Sequence, residues 1–211
     1  MSGTFHAVGA DDLDGLSLAR HVSRLGVTIS SPCLFLWSGE GELRKAWSGW
    51  LQATFAPLLA PSFVAVHRLA EGLRPIEIMA VDRKIDESLQ GDARLRSLAC
   101  GRSFLDGKSE MQANREWSRF AERVAEGQSP GHAVTLFALQ TALYHLPLSP
   151  ALAAYAWFEL ESGLPRDGSR ARAGSGAEVL SVFAEALPEV RVAIASEYGE
   201  SLSDAPRLRA V

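Results

Sequence analysis

The chain has 211 residues, 47% hydrophobic and 22% charged, with a formal net charge of -4. That composition leaves room for a sizeable core and gives no reason to expect nucleic acid or an anionic membrane as a partner. Its two cysteines, Cys33 and Cys100, lie far apart with no CxxC pair, which argues against a disulfide scaffold or zinc ribbon and fits a reducing cytosol.

The first residues, MSGTFHAVGADDLDG, are acidic and lack a basic segment followed by an apolar one, so they do not read as a signal peptide. Leu13, Leu16, Val22 and Leu25 suggest a helix over 11–25. The stretch 26–42, GVTISSPCLFLWSGEGE, does not look helical and reads as a short strand or an extended packed loop. Leu43, Trp47, Trp50, Leu51 and Phe55 form a helical stripe that continues to Leu58 and stops by Pro61. Short helices are then expected over 62–72 and 76–90, with a break at Gly91-Asp92. Leu95, Leu98, Ala99 and Leu105 make the next stripe, and Met111, Trp117, Phe120 and Val124 another, ended by Gly127.

Residues 129–157, SPGHAVTLFALQTALYHLPLSPALAAYAW, are the most apolar stretch. The run from Ala133 to Leu146 is shorter than the roughly 20 residues a spanning helix needs. Ser129-Pro130 and Ser149-Pro150 each read as an N-cap followed by proline at the first helical position. The expectation is two helices, 130–146 and 150–161, antiparallel across a very short turn and central to an α-helical bundle. The Gly-, Arg- and Ser-rich stretch 163–176 reads as a mobile loop. A last helix over about 177–187 runs into Pro188 and resumes to Ser196. Residues 197–211 read as a flexible tail, with few large apolar residues to offset ordering costs of roughly 1–2 kcal/mol per residue. The fold class is all-α, one domain over 1–196.

GRSFLDGKS (101–109) resembles a phosphate-binding loop, but five residues stand between its first Gly and GKS where the motif needs four, and helix-patterned sequence precedes it. It reads better as a helix end with Gly107 as C-cap. His132, at a helix start, favours a neutral ring. It reads as a packed or capping histidine rather than an acid/base or metal ligand. His67 and His145 stand apart from it, and no HxxxH, ExxH or carboxylate cluster suggests a metal or catalytic site. Asp82, Arg83, Asp86 and Glu87 read as a solvated helix face with pairs one turn apart.

Three stretches together resemble the urease accessory protein UreF family. They are WLQATFAPLLAPSFVAVHRL (50–69), DRKIDESLQGDARLRSLACGRSFL (82–105) and PGHAVTLFALQTALYHLPLSPALAAYAW (130–157). In the last, Gly131-His132, Leu146-Pro147-Leu148 and Ala154-Tyr155 fall in the family's order. Two family features are replaced: SSPCLFLWSGE (30–40) stands in for an SPALPVG-FSYS-like segment, and GLPRDGSRARAGSG (163–176) for a PLGQT-like one. The resemblance implies a cytoplasmic, non-enzymatic scaffold, a homodimer with no cofactor. Such a scaffold docks on UreD (also called UreH), recruits the GTPase UreG and helps load nickel into urease apoprotein. The partner-interface residues it implies here are Gly131, His132, Glu197, Tyr198, Leu202 and Leu208, the tail ordering on the partner. Two rival readings are a paralogue serving another metalloenzyme, and a small helical enzyme or ligand-binding bundle with a pocket of Trp157, Tyr144, Phe137 and His145.

Overall fold

A computed structural model describes residues 32–107, 110–165 and 173–203. Among these there are helices and connecting segments and no strand. The helix expected over 11–25 lies outside the described residues. Residues 32–42 form an extended, packed segment, here called the strap.

Leu43–Trp50 form α1, and Ala60–Glu71 form α2. Between them, Leu51–Leu59 continue the helix with wider turns, so 43–71 is one run rather than two helices broken at Pro61. Pro57 is the cause. It has no N–H to donate, and its ring would collide with a carbonyl one α-turn back; the wider turn relieves both. By length and composition this run could cross a membrane. However, Trp47, Phe55, Leu59, Phe63 and Val66 along it are fully buried in the bundle, so its apolarity is that of a core element.

Pro75–Ser88 form α3 and Gly91–Asp106 form α4. The buried face of α4 is Ser97, Cys100, Gly101 and Phe104, not the leucine stripe, and Leu95 is 61% exposed. Gly91 starts α4 instead of separating two helices. Arg115–Ala125 form α5, capped by the Asn114 side chain on the N–H groups of Glu116 and Trp117.

The two apolar helices are α6, Ala133–Leu143, and α7, Leu148–Gly163. Every α6 residue from Ala133 to Ala142 is buried. The helix packs against α2, α3, α4, α5 and α7, which makes it the centre of the bundle. Both helices start differently from the Ser-Pro expectation: α6 begins after His132, and Pro147 precedes α7. α6 also ends early. His145 takes a left-handed φ of 57°, and its N–H and that of Leu146 turn back to the carbonyls of Ala142 and Thr141. Leu73 closes α2 the same way at φ 54°.

Gly176–Phe183 form α8, with a reciprocal cap between Ser175 and Glu178. Ala186–Ser203 form α9, which packs on α2 and α7. Pro188 falls in the first turn of α9, where a proline is tolerated, so the break comes at residues 184–185. The helix continues past Ser196 through Glu197, Tyr198 and Leu202 to Ser203. The core beneath is aromatic: Phe137 contacts Phe63, Phe104, Tyr155 and Phe158, with ring centroids between 5.5 and 6.3 Å.

Candidate functional site

α6 starts without a capping side chain of its own. Four backbone N–H groups at a helix start need acceptors, and here the acceptor comes from another helix. Asp82 of α3 is fully buried. Its Oδ2 accepts from Ser129 Oγ at 2.7 Å and from the Gly131 N–H at 2.6 Å. Its Oδ1 accepts from the His132 N–H at 3.1 Å and from Thr135 Oγ1 at 2.7 Å. One carboxylate thus serves as a remote N-cap, placed where the helix dipole favours negative charge. This overturns the reading of Asp82 as part of a solvated face.

His132 extends the cluster. Its Nε2 lies 3.1 Å from Asp86 Oδ1 and its Nδ1 3.0 Å from Ser97 Oγ. A carboxylate only accepts, so Nε2 carries the proton and Nδ1 accepts from the Ser97 hydroxyl. Burial pushes the imidazole below its usual pKa, against the opposing pull of Asp82 and Asp86. Asp86 also receives Arg94 at 2.7 and 3.1 Å. Arg94 first, and His132 with it, hold the Asp86 carboxyl below the usual range. Asp86 therefore pairs across helices rather than along its own.

The order Ser97–His132–Asp86 is that of nucleophile, base and orienting carboxylate. Ser97 and His132 have no exposed surface. The hollow of about 160 Å³ beside Ala56, Val64 and Val192, and the groove of about 490 Å³ beside Glu116, Arg119 and Arg123, open elsewhere. The cluster therefore positions backbone and offers no bound substrate a nucleophile. Backbone contact is tight: a Cβ at Gly101 of α4 would stand 1.9 Å from the Gly131 carbonyl oxygen. That explains the glycine within the 82–105 stretch.

A second buried cluster fixes the strap. Glu159 of α7 is fully buried. Its Oε2 accepts the N–H groups of Leu34 and Phe35 at 2.8 and 3.0 Å, and its Oε1 accepts the Tyr155 hydroxyl. Burial raises the Glu159 carboxyl, opposed by these donors. The Trp37 N–H bonds to the Gly163 carbonyl at 3.1 Å. A Cβ at Gly163 would stand 2.5 Å from the Phe35 carbonyl oxygen. Glu159 does not stand out in the sequence, although a carboxylate within an apolar run, with Tyr155 one turn before it, was the available signal.

The remaining sequence candidates separate. His67 is buried and donates Nε2–H to the Leu146 carbonyl at 3.0 Å, which pins the turn between α6 and α7. Burial lowers its pKa. The proposed ligand pocket does not form: Phe137 is packed among core rings, Trp157 stacks edge-on to Phe183, and His145 is exposed at a helix end. In GRSFLDGKS the residues through Asp106 are helical. Gly107 follows as the C-cap expected, with an extended rather than left-handed backbone at φ -61°; Lys108 and Ser109 lie outside the described residues. Among the described residues no three His, Cys, Asp or Glu side chains gather in a metal-binding arrangement. Of the interface candidates, Gly131 and His132 are buried; Glu197, Tyr198 and Leu202 lie on α9; and Leu208 is outside the described residues.

No curated protein and no solved structure matches the chain. The sequence model of the UreF family does, over residues 37–163. That span runs from the middle of the strap to the last residue of α7, through Asp82, Ser97, Gly101, His132 and Glu159. It covers more than half of the chain, and the protein therefore belongs to the UreF family.

Proposed function

We propose that this protein is a urease accessory scaffold. In this reading it docks on a UreD- or UreH-like protein and recruits a UreG-like GTPase, so that nickel passes as cargo to apo-urease. The family match over 37–163 carries the reading. The sealed position of Ser97 agrees with it, because a scaffold needs shape and no nucleophile. The protein works as a cytoplasmic homodimer without a cofactor. Glu197, Tyr198 and Leu202 of α9, with Leu208 beyond it, meet the partner. Gly131 and His132 act from beneath, by holding the start of α6.

A urease-producing strain lacking its own UreF-type protein tests this. Expression of the full chain is expected to restore urease activity and to co-purify the UreD-like and UreG-like proteins. Restored folding of the chain without either result would sink the proposal. A second reading, a paralogue serving another metalloenzyme, is favoured by one observation: the match stops at residue 163, where the sequence GLPRDGSRARAGSG stands in place of a PLGQT-like segment. Co-purification of a different apo-metalloenzyme from the native cell would decide for it.

A further inference from the structure

α4 turns an apolar strip away from the bundle. It packs against α6, and its inner face is Ser97, Cys100, Gly101 and Phe104. On the outer side Leu95 is 61% exposed, Ala99 one turn on is exposed, and Leu98 is half-buried. An apolar strip on a helix ordinarily faces a packing partner. The point where the described chain begins shows what lies nearest. Its first residue is Pro32, and the Cys33 carbonyl accepts Nε–H at 3.0 Å from Arg96, the residue after Leu95. Glu159 holds the next two N–H groups, so this entry point is fixed. Upstream, Leu18, Val22 and Leu25 recur at the i, i+4, i+7 spacing of one helix face. Seven positions separate Leu25 from Pro32, a span of at most about 25 Å. Leu95 to Ala99 occupies only about 6 Å of α4, so the upstream stripe reaches the strip.

We propose that this outer face of α4 is the docking site for residues 11–25 of the same chain, laid against it as an antiparallel helix. Charge sets the direction. Asp14 and Arg24 stand ten positions apart, and so do Asp92 and Arg102 on α4, about 15 Å along a helix in each case. Asp92 and Arg102 are both exposed. In the antiparallel arrangement Arg24 meets Asp92 and Asp14 meets Arg102, while Val22 and Leu18 fall beside Leu95 and Leu98. In the parallel one Asp14 would meet Asp92, and Arg24 would meet Arg102. Docking covers Leu95 and leaves the contact of Gly101 with Gly131 untouched. It is a property of the chain's own packing and stands apart from the urease reading.

The photo-crosslinking side chain p-benzoylphenylalanine is placed at position 95 of the full chain, and the irradiated protein is mapped by mass spectrometry. The expected product joins the position-95 peptide to a peptide within residues 11–25, at the mass of a single chain. The same probe at position 76 replaces Ile76, which is 70% exposed on α3, and is expected not to capture that segment. Val22→Asp puts a carboxylate into the apolar contact and is expected to cut the position-95 product at least about tenfold. Asp14→Arg is expected to lower it about two- to threefold, and adding Arg102→Asp to restore it. A product that joins two chains, a product elsewhere in the same chain, or none at position 95 overturns the inference. Equal capture from position 76, or an unchanged yield with Val22→Asp, overturns it as well.

Discussion

Asp82 on α3 accepts the backbone N–H of His132, fifty positions later in the chain, and thereby caps the central helix. Asp82→Ala would leave Ser129, Gly131, His132 and Thr135 without their acceptor in a buried site. The expected loss is about 3–5 kcal/mol, measured by urea unfolding. Asp82→Asn keeps the shape but turns an amide NH₂ toward donors, so it is expected to cost about half as much. Equal stability of Asn and wild type would refute the remote-cap assignment.

Mild acid should weaken the contribution of the buried histidines to stability. Burial holds the pKa of His132 and His67 below the usual histidine range. The unfolded chain takes up these protons near pH 6.5, whereas the fold resists them. The histidine contribution is therefore fully present above about pH 6.5 and falls as pH drops below it, by at most about 1.4 kcal/mol per pH unit for each histidine, while the raised Glu159 carboxyl works in the opposite sense. The Asp86 carboxyl is depressed, so its contribution is lost only at lower pH, below the ordinary carboxylate range. Denaturation curves at pH 7.5 and 5.5 should differ, and His132→Gln should flatten the slope. An unchanged slope in that variant would remove His132 from the account.

Gly101→Ala should be the most damaging one-methyl change in the molecule, because the atom it meets is the Gly131 backbone oxygen. A cost of about 3 kcal/mol or more is expected, at the upper end of overpacking. Gly49→Ala is the control. Nothing lies within 4 Å of a Cβ there, on the helix α1, and a gain of about 0.5–1 kcal/mol is expected. A thermal melt of both variants checks the sign of each.

Leu73 and His145 should yield stability when replaced by glycine. Both hold left-handed backbones that cost an L-residue roughly 1–2 kcal/mol, and Leu73 is 63% exposed, so little packing is lost. The gain is partly offset by the freedom glycine adds to the unfolded chain, leaving about 0.5–1 kcal/mol for Leu73→Gly. A lower melting temperature for that variant would mean that Leu73 contributes contacts outweighing its strain.

Periodicity revealed the helices where apolar residues dominate, as with Trp117 and Phe120 on α5 or the all-round apolar α6. It failed on α4, because the face that packs there is Ser97, Cys100, Gly101 and Phe104. Small and polar side chains are buried when they are hydrogen-bonded or when backbones must touch, and no hydrophobic scale registers either reason. Asp82 and Asp86 were misread for the same cause: an (i, i+4) spacing with Arg83 and Glu87 nearby looks solvated until a distant helix start arrives needing an acceptor. The Ser-Pro pairs misplaced both helix starts; at α6 the Gly131 and His132 N–H groups turn to the distant Asp82 carboxylate rather than to a local side chain. The resemblance carried by Gly131-His132 and Leu146-Pro147-Leu148 fell on residues fixed by Asp82 and His67, partners too distant in sequence for spacing to reveal.

The strap has a consequence for synthesis. Leu34 leaves the ribosome well ahead of Glu159, the residue 125 positions later that takes its N–H. At about 5–20 residues per second the delay is roughly 6–25 s. Throughout it, Leu34, Phe35 and Trp37, all buried in the finished fold, have no α7 to cover them. A protein proposed to escort another through maturation thus exposes, while it is being made, an apolar segment of the kind that nascent-chain chaperones hold.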